Sequence, residues 1–242
     1  MKKITSAALL ALKLTWKTVL TLFLCTAALQ TFSVYRWLMP GGVPLQTTFG
    51  FETMLSSAVE FFGKWWFVLL QLFLCVNGSS TKHSKTVYTM NRLGLSENHI
   101  TLVFGGVFTG YFLLFWAFQL ALVYGFFVWY SRFSLVSSNA FMLACWRSEW
   151  LHTLLPLCEW WNYLRNFIIC LSLGYSAAFA SQCARRGKYA FGYLLPHFLL
   201  CSTMLSGRIG SFAQNIALTV LLAAVTVGSW FALKGGRENE DL

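Results

Sequence analysis

The sequence predicts an all-α, polytopic membrane protein of about six transmembrane helices, with an N-terminal interfacial helix and an outer interfacial helical segment. Three observations predict it. Hydrophobic residues make up 57% of the chain and charged ones only 11%, a balance that soluble domains do not tolerate. Several apolar runs approach 20 residues, the length that crosses roughly 30 Å of hydrocarbon. Aromatic residues reach 18%, and Trp65, Trp66, Trp146, Trp150, Trp160 and Trp161 flank the runs, as expected of side chains that favour the headgroup zone. One membrane domain, residues 1–242, accounts for the length. The formal net charge of +10 follows from membrane topology, so no nucleic-acid partner is expected.

Residues 1–17 carry too much charge to span. On a helical wheel Lys2, Ser6, Lys13 and Lys17 share one side while Ile4, Ala8, Ala11 and Trp16 face away, with Leu9 and Leu10 intruding on the polar side, which suits an interfacial helix on the inner leaflet. The rival reading is a secretory signal with residues 18–28 as its apolar core. Its basic region is long for a signal, and five further spans need an anchor on that side.

The first span covers residues 18–39 and stops at Pro40, Gly41, Gly42 and Pro44, which break a helix. After an outer loop to about residue 53, the second covers 58–76. Near its outer end Glu60 and Lys64 stand four apart and pair as a helix-end salt bridge. Residues 78–99 form a polar, basic cytosolic loop, SSTKHSKTVYTMNRLGLSENH, in which residues 86–90 suit a short amphipathic helix and Ser96 is placed to cap the next helix. A loop this conspicuous is expected to touch something in the cytosol.

The third apolar segment, residues 100–130, would be about 46 Å long as a helix, so it tilts, breaks near Gly105 and Gly106, or projects from the bilayer. Gly106 and Gly110 form a G-x-x-x-G pair that permits close approach of another helix, in this chain or in a second copy. Residues 131–166 make the outer segment, where Arg147, Glu149, His152, Glu159 and Arg165 punctuate apolar stretches at a spacing that suits helices lying at the interface, with a substrate gate as the sharper alternative to ordinary interfacial packing.

The fourth span, residues 167–182, places Ser172, Gly174, Ser176, Ala178 and Ala180 at helical spacing for tight packing. Arg185, Arg186 and Lys188 mark the inner turn beyond it. The fifth, residues 189–205, holds Pro196 and His197. Proline bends that helix and frees a carbonyl. The histidine then hydrogen-bonds the backbone, or the pair lines a substrate path. A short outer turn at Arg208 leads to the sixth span, residues 213–233, and to a cytosolic tail, residues 234–242.

Charge tests this map. Lys2, Lys3, Lys13, Lys17, Lys82, Lys85, Arg92, Arg185, Arg186, Lys188, Lys234 and Arg237 fall inside. Arg36, Lys64, Arg132, Arg147, Arg165 and Arg208 fall outside. The inner set is twice the outer, so both termini are expected in the cytosol of a multi-pass plasma-membrane protein.

Catalytic chemistry is sparse. The chain has no G-x-x-x-x-G-K-[ST] phosphate loop, no H-E-x-x-H, no G-x-S-x-G and no acid pair within a span, so neither an enzyme nor a resident cofactor is expected. Cys25, Cys75, Cys145, Cys158, Cys170, Cys183 and Cys201 show no C-x-x-C spacing. Metal binding is therefore not expected; most of these thiols are core residues, and Cys145 and Cys158 can pair outside.

A basic amphipathic start, two spans, an inner loop reading T-V-Y-T-M-N-R-L-G-L-S-E-N-H-I at residues 86–100, and four more spans together resemble the bacterial permeases of ABC-2-type exporters. In that family the inner segment is a short helix, a leucine-rich L-P-x-S turn and the start of the third span, and it docks on the ATPase subunit. Arg92, Leu93, Gly94, Leu95 and Ser96 match the turn, with Gly94 where proline is commoner. The resemblance implies a half-transporter. Two permease subunits, alike or different, would pack together, and Tyr88, Met90, Arg92, Leu93, Leu95 and Ser96 would contact a separate ATP-binding subunit that performs the hydrolysis. One departure stands out: many such permeases carry outer re-entrant helices between spans five and six, whereas here the long outer segment follows span three. Two other classes fit the same composition. One is a non-transporting sensor, immunity or assembly subunit that holds a lipid or peptide. The other is the substrate-binding membrane subunit of an uptake transporter.

Overall fold

The computed structural model describes residues 2–39, 50–79, 94–132, 139–157, 159–205 and 211–238. Every regular element among them is helical: α1 (Lys2–Leu38), α2 (Phe51–Ser79), α3 (Glu97–Tyr130), α4 (Ala140–Arg147), α5 (Glu149–Leu154), α6 (Trp160–Arg185), α7 (Phe191–Leu205) and α8 (Phe212–Glu238). Five of them, α1, α2, α3, α6 and α8, are long and apolar enough to cross a membrane. The protein is therefore an all-α, multi-pass membrane protein. The expected fifth span is α7, a shorter apolar helix of 15 residues with Pro196 inside it.

Helix α6 is the centre of the bundle. Of its most apolar stretch 72% is buried, against 22% in α1 and in α8. Its small residues explain why. Ser172, Ser176, Ala177, Ala180 and Ser181 are fully buried and Ala178 nearly so, and with no bulky side chains between them the neighbouring backbones come close. Helix α3 packs along α6 more extensively than any other pair in the bundle. An added Cβ at Gly174 would lie 2.5 Å from the Thr109 backbone nitrogen, and one at Gly105 would lie 2.6 Å from the Tyr175 ring. Gly174 and Ala178 thus act in helix packing as expected. At Gly106 and Gly110, by contrast, no described residue lies within 4 Å of a Cβ built at either. The face they share points away from this chain's other described helices.

Polar side chains stitch the apolar packing, because in hydrocarbon an unpaired donor has no water to turn to. Gln71 Nε2 donates to Ser176 Oγ at 2.7 Å, Gln30 Nε2 to Gln119 Oε1 at 3.1 Å, and the Ser172 and Thr226 hydroxyls are 2.9 Å apart.

The N-terminal stretch expected to lie alone at the interface is continuous with the first span, one helix of 37 residues. At 1.5 Å per residue that is roughly 55 Å, so one end extends well beyond the hydrocarbon. Of the predicted apolar side only Ala11 belongs to the helix's buried stripe. Ala7, Ala11, Thr15, Val19 and Leu22 face the bundle, while Ile4 and Trp16 are exposed. Small residues at a four-residue spacing win the interior because they let α1 approach; bulky Ile4 and Trp16 are left for lipid. Helix α3 likewise runs 34 residues without a break at Gly105 and Gly106, which leaves tilt or projection to accommodate its length. The loop between α2 and α3 is shorter than expected, since α2 continues to Ser79 and α3 begins at Glu97.

The outer segment divides into α4, α5 and the first turns of α6, which starts at Trp160 rather than near 167. Trp146 and Trp160 are exposed, as interfacial residues should be, but Trp150 is fully buried. Its indole sits against Gly63 and meets Phe67 edge-on at 6.4 Å. Helix α5 thus inserts its apolar side, Trp150, Leu151 and Leu154, into the core, and only the bare Cα of Gly63 makes room for the ring.

Candidate functional site

The helices alternate in direction, so the start of α3 and the ends of α2 and α6 meet at one end of the bundle. Gly94 opens this region with φ +58°, a left-handed conformation that glycine adopts freely and proline, fixed near −65°, cannot. This is a physical reason for glycine where the resembling motif carries proline. Two residues on, Ser96 caps α3: its hydroxyl accepts from the His99 backbone N–H at 3.4 Å and lies 2.5 Å from His99 Nδ1. Leu95 packs, half-buried, on the core. Tyr88, Met90, Arg92 and Leu93 lie outside the described residues.

Immediately after the cap, Glu97 accepts from Arg186 Nη2 at 2.7 Å and Nε at 3.0 Å. Arg185 approaches the same carboxylate at 4.0 Å and donates to the Gly78 carbonyl of α2 at 2.9 Å. One turn further in, the Thr101 hydroxyl is 2.7 Å from Gln182 Oε1. Helix α6 closes here with Gly187 at φ +74°, where Lys188 N–H reaches Cys183 O at 2.9 Å and Gly187 N–H reaches Ala184 O at 3.1 Å, the paired bonds of a Schellman cap. The sequence reading used Arg185 and Arg186 only as markers of topology. It passed over Glu97, the acid that turns them into a junction of three helices.

At the opposite end a cavity of about 580 Å³ opens between α4, α5, the start of α6 and the start of α8. Arg165 sits in its wall, 5% exposed. Its partners are neutral: Asn166 Oδ1 at 3.3 Å from both Nε and Nη2, and Asn215 Oδ1 at 3.5 Å from Nη1. Asn215 Nδ2 in turn donates to Asn162 Oδ1 at 2.8 Å, and Asn166 Nδ2 to the Thr153 carbonyl at 2.6 Å. Glu159 accepts from Asn162 and stands 3.9 Å from His152 Nε2. Trp161 Nε1 and His152 Nδ1 are buried without a hydrogen-bond partner among the described residues. Arg147, also lining the cavity, pairs with Glu52 at 3.1 Å. The expected interfacial residues Arg147, Glu149, His152, Glu159 and Arg165 are therefore brought together around one space. The sequence signal was Asn162, Arg165 and Asn166 at i, i+3 and i+4, a polar stripe on one face at the head of an apolar helix.

The remaining candidates have structural partners. His197 is fully buried, and its Nδ1 lies 2.7 Å from the Tyr193 carbonyl. Since a carbonyl only accepts, Nδ1 carries the proton; the bond is to the backbone, but to Tyr193 rather than to Gly192, whose carbonyl is the one that Pro196 leaves without its helical N–H, and Nε2 is buried with no partner among the described residues. Neither residue is among those lining the cavity at Arg165 or the smaller ones beside Lys64 and Trp116. Glu60 and Lys64 form the expected pair at 2.5 Å. Cys145 is buried with a free thiol, and Cys158 lies outside the described residues.

Comparison with protein-family models, with curated proteins and with solved structures returned no match.

Proposed function

We propose that the chain is the membrane-spanning permease subunit of an ABC-type exporter. It pairs with a second permease and works with a separate ATP-binding subunit to move an amphipathic substrate across a bacterial plasma membrane, both termini being cytosolic. The observation that carries this reading is the junction at Glu97. The basic loop hands directly into the capped start of α3, and Glu97 ties that start to the ends of α6 and, through Arg185, of α2. A push on the loop therefore acts on the most extensively packed helix pair of the bundle, as a rocking transporter requires. The partner supplies hydrolysis, and this chain supplies the path and the lever.

Mild-detergent purification of the native protein tests the proposal. The expected result is a stoichiometric nucleotide-binding subunit with ATPase activity whose retention is lost on Arg92→Glu with Leu93→Ala. A correctly folded chain that recovers no ATPase, or recovers one indifferent to those changes, overturns it. The cavity at the other end favours a second reading, a non-transporting membrane protein that holds an amphipathic ligand, and a folded, ATPase-free preparation would select it.

A further inference from the structure

We infer that the cavity around Arg165 is a binding site for a zwitterionic headgroup, a phosphate joined to an ammonium, of the phosphatidylethanolamine class. The inference goes beyond the transport reading and stands without it.

Depth is the first ground. Arg165 and Arg185 lie on the same helix, α6, twenty residues or roughly 30 Å apart, which is the thickness of the hydrocarbon. Arg185 holds one edge beside Glu97 and Gly78, so Arg165 lies at the other, where headgroups are. Charge is the second. Arg165 is buried, yet its hydrogen bonds go only to carboxamide oxygens at 3.3 to 3.5 Å, and among the described residues no carboxylate lies within ion-pair distance. A buried cation without a counter-ion is costly, and each terminal nitrogen keeps a second N–H beyond the one spent on asparagine. A phosphate answers both needs, because the guanidinium fork matches its oxygens.

The rest of the wall selects against a bare anion. Glu149 and Glu159 line the same space. Among the described residues Glu159 forms no ion pair with Arg165; it accepts instead from Asn162 and stands 3.9 Å from His152, so the acidic part of the wall is separate from the guanidinium. A headgroup dipole spans the two, phosphate toward Arg165 and ammonium toward Glu159. Trp146 and Trp160, 64% and 74% exposed, stand at the rim and offer ring faces to the ammonium and apolar surface to the glycerol and first methylenes.

Native mass spectrometry of the full chain, purified in a non-ionic detergent and titrated with dioctanoyl phosphatidylethanolamine or phosphatidylglycerol, tests this. The expected result is roughly tenfold tighter retention of phosphatidylethanolamine. Arg165→Gln should abolish retention of both lipids. Because that buried change can impair folding, the exposed Glu159→Gln serves as the second variant. It keeps the Asn162 bond and should erase the preference by weakening phosphatidylethanolamine about tenfold. Equal retention of the two lipids by the native chain, or an unchanged preference in folded Glu159→Gln, overturns the inference. Soluble competitors separate the sources of the headgroup. Displacement by phosphoethanolamine supports a free headgroup, and its failure supports a membrane lipid. Displacement by inorganic phosphate as effective as by phosphoethanolamine shows a simple anion site and overturns the zwitterion.

Discussion

Glu97 and Arg186 are joined across the bundle, two guanidinium N–H groups converging on one carboxylate oxygen at 2.7 and 3.0 Å. The pair fastens the first turn of α3 to the capped end of α6, and both side chains are mostly sheltered, 33% and 20% exposed. Glu97→Gln keeps the shape and removes the charge facing both Arg186 and Arg185. A loss on the order of 1 kcal/mol is expected, modest because the site is partly solvated. The check is thermal unfolding of the detergent-solubilised protein. When Glu97→Gln is combined with Arg186→Gln, the loss should be smaller than the sum of the two single losses, whereas losses that simply add would rule out direct coupling.

Gly174 and Gly106 should respond oppositely to the same change. Alanine at 174 drives a methyl to 2.5 Å from the Thr109 backbone nitrogen, where no side chain can rotate away, so α3 and α6 must separate at an expected cost of about 1–3 kcal/mol. Alanine at 106 meets nothing within 4 Å, and removing a helical glycine should leave stability unchanged or raise it by up to about 1 kcal/mol. Unfolding curves of the two variants in one detergent decide the matter; equal effects would contradict the packing described.

The contrast between these glycines also shows what was legible in the sequence. Helix content, the Ser96 cap, the Glu60–Lys64 pair and the tight packing at Gly174 follow from local spacing, and spacing is present in the chain itself; span ends do not, as the long α1 and the early start of α6 show. Whether Gly106 or Gly105 faces a neighbour is a question of rotation about the helix axis, which a glycine pattern leaves open. The same reason hid the buried face of α1: the helical wheel grouped Ala11 with bulky Ile4 and Trp16, yet only the small residues Ala7 and Ala11 of that stretch are inside. The Glu97 junction escaped because it joins residues tens of positions apart. The Arg165 cavity was half legible: Arg147, Glu149, His152, Glu159 and Arg165 stood out in one segment, but its closure by Asn215 of α8 did not.

The sequence alone put Trp150 at the headgroups, but its burial makes it a keystone between α5 and α2. Trp150→Ala should open a cavity against Gly63 and Phe67 and cost about 3–5 kcal/mol. Trp160→Ala, at an exposed position, should cost little. The checks are thermal unfolding and tryptophan emission, since loss of a buried indole removes a blue-shifted component and loss of Trp160 does not.

Cys145 offers a pH-dependent check on the seating of α4. It lies in the core shared by Leu38, Phe51 and Leu151, and burial pushes its thiol from 9.0 up to about 11. A raised acid pKa means the folded protein holds the proton more tightly than the unfolded chain. The stabilising contribution is therefore complete below pH 9 and is lost as pH rises from 9 through about 11. At pH 8 only about one thiol in a thousand is ionised, and the thiolate is the nucleophile. N-ethylmaleimide at pH 8 should leave Cys145 unmodified in the native protein and modify it fully after unfolding in SDS, with peptide mass spectrometry locating the adduct. Rapid native labelling at pH 8 would mean that α4 leaves its seat on the bundle often enough to expose the thiol, and the rim of the Arg165 cavity would open with it.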